Sequence, residues 1–257
     1  MKKNTKWSNL YMGFILLFLY LPIFFVILYS FNESRTTAIW GGFSMKWYEE
    51  LSRDRDLLEA LGNSLVLGVA SCVTAAVIGT LGAVGLAQSH LKTKGLVEYV
   101  ARLPIMIPEI ILGMVFMAFF SLLNLPFGMV TLVIAHTAFC IPYILMNVKT
   151  RLVGMDPSLE EAARDLGASS GRAFVDIILP LLMPGVLSGA LLAFAMYLDD
   201  VVISIFVNGP RLNTLPIKVY TQMKFGVTPE INALCTLMLG ATLLVLAIWT
   251  IMKKLHR

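Results

Sequence analysis

Three acidic residues stand within long apolar segments of this chain, where an ionised carboxylate is costly. They are Glu109, Asp199 and Asp200. A charge at the middle of a bilayer costs about 2.5–3.5 kcal/mol on insertion scales, and no lysine or arginine stands beside these acids within their segments. Carboxylates in this setting favour a negatively lined route for a cation. The structural alternative is that they bind backbone groups freed at proline breaks, or face water at a segment's edge.

The two aspartates are neighbours, which limits what they can do together. Adjacent residues on a helix project about 100° apart, so only one of the pair can face a pathway squarely. Counted from Pro184, Asp199 lies about 22 Å along its segment at a rise of about 1.5 Å per residue. That distance places both residues in the outer half of a membrane.

The remaining reactive residue types form no catalytic or metal-binding pattern. His136 is a lone imidazole in an apolar segment and is interpreted as a hydrogen-bonding packing residue. Three cysteines, widely spaced within apolar stretches, favour neither a disulfide framework nor a metal site. The chain has no phosphate-binding loop for ATP, no Ser/His/Asp constellation and no lysine-arginine run for nucleic acid. We therefore expect no enzyme activity, no cofactor and no bound metal.

The segments that carry these residues have the composition of membrane spans. Of the 257 residues, 58% are hydrophobic and only 14% are charged, whereas soluble domains have about 25% charged residues. The first segment is too long for the core of a signal peptide and lacks a cleavage site. We predict one all-α transmembrane domain over residues 1–257 with six helices. The predicted spans are about 10–31, 61–88, 100–123, 127–148, 179–206 and 232–252.

The positions of lysine and arginine predict the orientation of these spans. Most of the 20 basic residues fall on the same side as the N-terminus, and cytoplasmic loops carry the excess of positive charge. Both termini should therefore be cytoplasmic, in the inner membrane of a bacterium. Segment 149–178 then faces the cytoplasm, and the acid-rich segment 32–60 faces outward.

The cytoplasmic segment contains a predicted helix-turn-helix. Asp156 can cap a first helix, Pro157 suits its first position, and Gly167 can end it in a left-handed conformation. Ser169 or Ser170 can cap a second helix that leads into the fifth span. A polar helix-turn-helix between two spans is a shape suited to docking a partner protein.

This segment resembles the EAA loop of permease subunits in bacterial ATP-binding-cassette importers of the type I fold. The matching elements are Glu161, Ala162, Ala163, Gly167 and the run Ile177-Ile178-Leu179-Pro180. The resemblance implies that the helix docks in a cleft of an ATPase subunit. Glu161 would then pair with a basic group, Ala162 and Ala163 would permit close approach, and Gly167 would make the turn.

The resemblance also implies an assembly. Two permease subunits would bind an ATPase dimer, and an extracytoplasmic binding protein would deliver the cargo by an alternating-access cycle. The sequence leaves open whether the second permease is an identical or a related chain.

A second resemblance concerns the cargo. The stretch Tyr197-Leu198-Asp199-Asp200, the segment Asn208-Gly209-Pro210 and the outer residues Trp40, Trp47 and Tyr48 are similar to the permease of spermidine/putrescine importers. It implies that Glu109, Asp199, Asp200, Trp47 and Tyr197 line the pathway. Carboxylates would bind the ammonium groups, and aromatic faces would contact the methylenes.

Other functions remain open at this point. A permease of the same fold can carry iron, an opine or another small solute. A secondary transporter is a different class, but no inverted repeat is visible in the sequence. A membrane enzyme would need convergent polar groups, which the sequence does not offer.

Overall fold

The computed structural model describes residues 5–156, 158–210, 212–224 and 226–255, and the regular structure in these ranges is helical. An isolated bridge joins Asn32 and Phe43. The helices are α1 (Thr5–Tyr29), α2 (Lys46–Arg53), α3 (Arg55–Gln88), α4 (Lys94–Met106), α5 (Glu109–Leu122), α6 (Met129–Val153), α7 (Ser158–Asp165), α8 (Ser170–Ala173), α9 (Leu179–Asp199), α10 (Val202–Val207), α11 (Leu215–Met223) and α12 (Pro229–Leu255). A π-helical turn, Phe174–Ile178, joins α8 to α9 without a break. The predicted all-α class is confirmed.

Four stretches of the described chain are long and apolar enough to cross a membrane, namely Trp7–Tyr29, Arg55–Gln88, Met129–Val153 and Ser170–Asp199. The pair α4 and α5 meets the same test jointly. The described apolar part of α12 is shorter and runs over Pro229–Leu244. The predicted count of six spans therefore stays a prediction.

The third predicted span, 100–123, is divided by a sharp bend in the structure. The axes of α4 and α5 differ by 108°, and the break lies at Ile107 and Pro108. Proline lacks a backbone N–H and disfavours helical geometry in the residue before it. Ile107 accordingly has an extended backbone, with φ −81° and ψ 131°.

The fifth predicted span, 179–206, differs from the structure at both ends. The helix begins earlier, at Ser170, because the π-helical turn continues α8 into α9. It ends at Asp199, and Asp200 is extended with φ −76° and ψ 108°. The short helix α10 then starts at Val202. The apolar segment is interrupted at Asp200 because residues of α6 bind Asp200 at the break and the end of α10 after it.

The chain separates into two compact units, and the prediction of a single domain stays a prediction. Unit 1 comprises residues 1–58 and 218–257, and unit 2 comprises residues 59–217. In unit 1, α12 packs against α1 and α2. Asn32 is buried there and accepts hydrogen bonds at its side-chain oxygen from the N–H groups of Ser34 and Gly41.

Unit 2 is built around α6, which buries one face against α9. Two glycines of α9 allow this close packing. A Cβ atom at Gly189 would lie 2.9 Å from the Cα of Ile144, and one at Gly185 would lie 3.1 Å from the Cβ of Arg151. The core of this contact contains Leu132, Phe139, Ile144, Val148, Leu182 and Ala193. This packing fixes where the end of α9 meets α6.

Candidate functional site

The break between α9 and α10 separates the two neighbouring aspartates. Asp199 is exposed, whereas Asp200 is 2% exposed. The Oδ1 atom of Asp200 accepts a hydrogen bond of 3.2 Å from the N–H of Ile203. A side-chain oxygen in this position satisfies a free N–H in the first turn of a helix. Asp200 therefore caps α10, and Asp199 is the aspartate whose side chain remains exposed.

The second oxygen of Asp200 lies against His136 of α6. The Nε2 atom of His136 is 3.0 Å from Oδ2 of Asp200, and both side chains are fully buried. Its Nδ1 atom is 2.8 Å from the carbonyl oxygen of Leu132. The hydroxyl of Ser204 lies 3.2 Å from Nε2. The predicted packing role of His136 thus has a specific partner, 64 residues away in the sequence.

The other end of α10 is also held on α6. The Oγ1 atom of Thr131 lies 3.1 Å from the carbonyl oxygen of Val207 and 2.9 Å from that of Gly128. On its opposite side α10 packs against α5, where a Cβ atom at Gly113 would lie 2.6 Å from Cδ2 of Phe206. The short helix α10 therefore packs between α5 and α6, with contacts near both of its ends.

The third acid, Glu109, begins α5 directly after the Pro108 break and is exposed. It lies within electrostatic range of Asp199, Asp200 and Tyr143. Among the described residues no lysine or arginine forms an ion pair with Glu109 or Asp199. Two exposed, unneutralised carboxylates at neighbouring helix breaks can bind a cation that carries more than one positive charge.

Two aromatic residues predicted to line the pathway are buried and hydrogen-bonded to backbone. The hydroxyl of Tyr197 donates to the carbonyl oxygen of Ser64 at 2.8 Å, and its ring packs on Gly68. Trp47 lies in unit 1, where its Nε1 donates to the carbonyl oxygen of Asn32 at 2.6 Å. Both side chains thus hold local structure, and Trp47 belongs to a different unit from the three acids.

A second candidate site is the loop around α7, which the sequence predicts to be cytoplasmic. Glu161 and Ala162 are exposed, and Ala163 is buried. Gly167 has φ +87°, the left-handed geometry predicted for it. The N–H of Ala168 donates back to the carbonyl of Ala163 at 3.0 Å, which closes the helix end.

The start of each loop helix is satisfied by a local side chain. Oδ1 of Asp156 accepts from the N–H of Ser158 at 3.0 Å, and this hydrogen bond lowers the pKa of the Asp156 carboxyl. Of the two predicted caps for the second helix, Ser169 is the one used, accepting from the N–H of Arg172. Pro157, predicted at the first helical position, lies outside the described residues.

The α7 loop contacts the end of α3, within the same unit, through side chains that the sequence analysis did not identify. The Nε2 of Gln88, at the end of α3, donates to Glu160 at 2.9 Å. Beside this contact is a cavity of about 430 Å³, whose charged lining is Lys94, Glu98, Lys149, Asp156 and Glu160. Glu98 pairs there with Lys149, and also with Arg102 at 3.3 Å.

An apolar side chain projects from the same loop. Leu166, directly before Gly167, is 90% exposed. One exposed apolar side chain does not by itself mark an interface, but Leu166 lies beside the exposed Glu161 and Ala162 on the same loop. Its position could have been found from the sequence, because it is the last apolar residue before the predicted helix end.

Comparison with known protein families finds a match over most of this chain. Residues 75–257 match the family described as binding-protein-dependent transport system inner membrane component. This range includes the helix breaks at 107–108 and 200–201 and the whole α7 loop.

Two curated relatives match nearly the whole chain. The putrescine transport system permease protein PotI of Escherichia coli K12 is 40% identical over 248 residues, covering 93% of this chain and 88% of the relative. The spermidine/putrescine transport system permease protein PotC of the same strain is 41% identical over 233 residues, covering 91% and 88%.

Solved structures show the same fold at low sequence identity. A chain of a bacterial ABC transporter involved in the import of the acidic polysaccharide alginate aligns with a TM-score of 0.72 at 14% identity, covering 96% of this chain and 94% of the other. A chain of the MetNI methionine ABC transporter aligns with a TM-score of 0.59 at 21% identity, covering 81% and 95%.

Proposed function

The chain belongs to the family of binding-protein-dependent transport system inner membrane components, and we propose that it is the polyamine permease subunit of an ATP-binding-cassette importer. Its cargo would be putrescine, spermidine or both. The observation that carries this proposal is identity of 40% and 41%, over more than nine tenths of the chain, to two permeases named for these cargoes.

The chemistry of the helix breaks supports a polyamine as cargo. A polyamine has two or more ammonium groups separated by methylenes, so it needs carboxylates a short distance apart. Glu109 and Asp199 are exposed and lie within electrostatic range of each other. We assign these two carboxylates to the pathway. Tyr197 and Trp47 support the surrounding structure, since both are buried and bound to backbone carbonyls.

Transport against a gradient needs energy from a partner, because this sequence has no phosphate-binding loop. The proposed partner is an ABC ATPase dimer that docks on α7. Glu161 would pair with a basic group of the ATPase, the exposed Ala162 would allow close approach, and Leu166 would fill an apolar recess. The contact between Glu160 and Gln88 would pass the movement of α7 to α3.

The remaining parts of the assembly follow from the same proposal. A second permease subunit and an extracytoplasmic binding protein would complete the importer. The chain would lie in the inner membrane with both termini in the cytoplasm, so that the α7 loop meets the ATPase. Closure of the ATPase dimer would open the pathway outward, and hydrolysis would return it to the inward state.

The test is uptake of radiolabelled putrescine and spermidine by cells that lack other polyamine importers. The cells would express this chain with its ATPase, second permease and binding protein. We expect energy-dependent uptake by the wild type. Asp199→Asn and Glu109→Gln should each raise KM by about tenfold, the loss of about 1.4 kcal/mol of binding. Asp56→Asn, a control at an exposed acid of unit 1, should leave uptake unchanged.

Two results of this experiment would contradict the proposed function. A wild-type complex that is assembled in the membrane but takes up neither polyamine would contradict this cargo. Iron, opines and other small solutes would then be tested in the same cells. Uptake by the permease without any ATPase subunit would contradict the ATP-driven mechanism.

A further inference from the structure

We infer that His136 is a positioning residue of the translocation pathway, one that holds Asp200 in an uncharged pair and so leaves Asp199 as the aspartate that meets the cation. The inference rests on the proposed function, because only a transporter has a translocation pathway. The sequence allows only one of these two adjacent aspartates to face a pathway squarely, and the pair with His136 assigns that role to Asp199.

The hydrogen bonds of His136 determine how many protons the pair carries. The carbonyl oxygen of Leu132 can only accept, so the Nδ1 atom 2.8 Å away must carry a proton. The 3.0 Å contact between Nε2 and Oδ2 of Asp200 needs one further proton between them. If this proton lies on nitrogen, the pair is an imidazolium and a carboxylate. If it lies on oxygen, both groups are neutral. In either case the pair has no net charge.

Burial requires this neutral arrangement. Both side chains are completely inaccessible to solvent, and an isolated charge in such a place is strongly disfavoured. Asp200 therefore contributes no net negative charge to attract a passing cation. Asp199 is exposed and forms no ion pair among the described residues, so its carboxyl group is accessible to a cation.

The pair fixes the backbone on which Asp199 stands. Oδ1 of Asp200 caps α10 through the N–H of Ile203, while its own N–H donates to the carbonyl oxygen of Tyr197 at 3.1 Å. The edge of the His136 ring meets the Tyr197 ring, with centroids 5.1 Å apart and planes at 83°. The last turn of α9 and the first turn of α10 are thus tied to the same point of α6, and the direction of Asp199 is set between them.

This arrangement predicts different results for changes that look equivalent. In Asp200→Asn the new amide can still cap Ile203 with its oxygen and can donate its N–H to the unprotonated Nε2 of a neutral imidazole. In His136→Leu the buried carboxyl of Asp200 loses its partner. The double variant no longer contains this unpaired buried carboxyl, so adding Asp200→Asn should partly restore the transport lost in His136→Leu.

The experiment measures polyamine uptake by the complete importer carrying each variant. Asp199→Asn should raise KM about tenfold with little change in kcat, as expected for loss of ground-state binding. Asp200→Asn should change KM by less than about twofold, because every hydrogen bond is retained. His136→Leu should lower kcat by at least about tenfold, and the double variant should recover a large part of that loss. An Asp200→Asn variant whose KM rises as far as that of Asp199→Asn would overturn the inference.

A second measurement does not depend on the cargo. The apparent Tm of the purified importer should fall in His136→Leu, stay unchanged in Asp200→Asn, and lie closer to wild type in the double variant than in His136→Leu alone. Additive effects on Tm would overturn the pairing even if polyamines are transported. If the wild type transports no polyamine, the proposed cargo fails, and the Tm series alone decides whether His136 and Asp200 form this pair.

Discussion

Two interruptions of the helical chain, one in the loop between α7 and α8 and one between α9 and α10, satisfy their free backbone groups differently. Between α7 and α8 the free backbone groups bind residues a few positions away, namely Asp156, Ala163 and Ser169. Between α9 and α10 they depend on α6, through His136 and Thr131. The first break is thus stabilised by residues close in the sequence, and the second by residues that only the tertiary structure brings near.

The difference separates the two functions proposed for these breaks. Local capping leaves the outer surface of the loop unoccupied, so Glu161, Ala162 and Leu166 stay exposed for a partner protein. At the second break, Asp200 is buried and occupied by hydrogen bonds, and the neighbouring carboxylate of Asp199 stays exposed. The proposed functions agree with this difference: the loop proposed to move with a partner is held by residues close in the sequence, and the break proposed to position Asp199 is held by residues of another helix.

The largest effect is expected at the turn of the local break. Gly167→Asp should abolish uptake while leaving membrane insertion intact. A Cβ atom at this position meets no other atom within 4 Å, so the change causes no clash. It adds a negative charge to the proposed docking surface and places a side chain at φ +87°, where residues other than glycine cost about 1–2 kcal/mol.

Gly167→Asn is the matched control, because asparagine has nearly the same shape as aspartate and shares its tolerance of left-handed geometry but carries no charge. This variant should retain most of the polyamine uptake, and most of the ATPase subunit should still co-purify with the permease. Normal uptake by Gly167→Asp would contradict the assignment of this loop to ATPase coupling.

The next effect sharpens the tertiary side of the comparison. Thr131→Val removes the hydroxyl that joins α6 to the end of α10 and should lower the stability of the complex by about 1–3 kcal/mol. Thr137→Val is the control on the same helix, because its buried hydroxyl has no hydrogen-bond partner among the described residues. Thermal unfolding of the purified complex checks both. Equal losses in the two variants would show that the hydroxyl of Thr131 does not hold α10.

A smaller effect is expected at the cap of α8. Ser169→Ala should destabilise the helix start by about 1 kcal/mol, the usual loss for an N-cap serine. Hydrogen exchange of the amides of residues 170–173 should become faster. Ser170→Ala is the comparison, since Ser170 lies within the helix and does not supply the cap. Transport should change little in either variant, because the cap acts only on its own helix.

The smallest effect concerns pH. The hydrogen bond from the Ser158 N–H lowers the pKa of Asp156, so the ionised carboxylate is favoured in the folded loop. Its stabilisation of α7 is fully present above the ordinary aspartate pKa of about 4 and is lost as pH falls through the lowered value. The ratio of amide exchange rates in α7 between wild type and Asp156→Asn should therefore approach one in acid. A ratio that does not change with pH would exclude this role.

Much of the loop was predictable because its structure depends on neighbours in the chain. Gly167 and Ser169 have the cap geometry expected from their residue types. The bend at Pro108 was less accessible, since proline occurs inside several other helices of this chain without ending them, as at Pro142. Whether proline bends or breaks a helix depends on which groups bind the backbone that it frees.

The sequence by itself determined that this chain is an all-α membrane protein with a capped helical loop before the fifth predicted span, because hydropathy and capping act over a few residues. It also identified the three acids within apolar segments. Only the tertiary structure decided which aspartate is used internally. His136 and Asp200 are 64 residues apart, and they meet because Gly185 and Gly189 allow α9 to pack closely on α6. That contact neutralises Asp200 and leaves Asp199 exposed, a difference that two identical, adjacent residue types cannot encode alone.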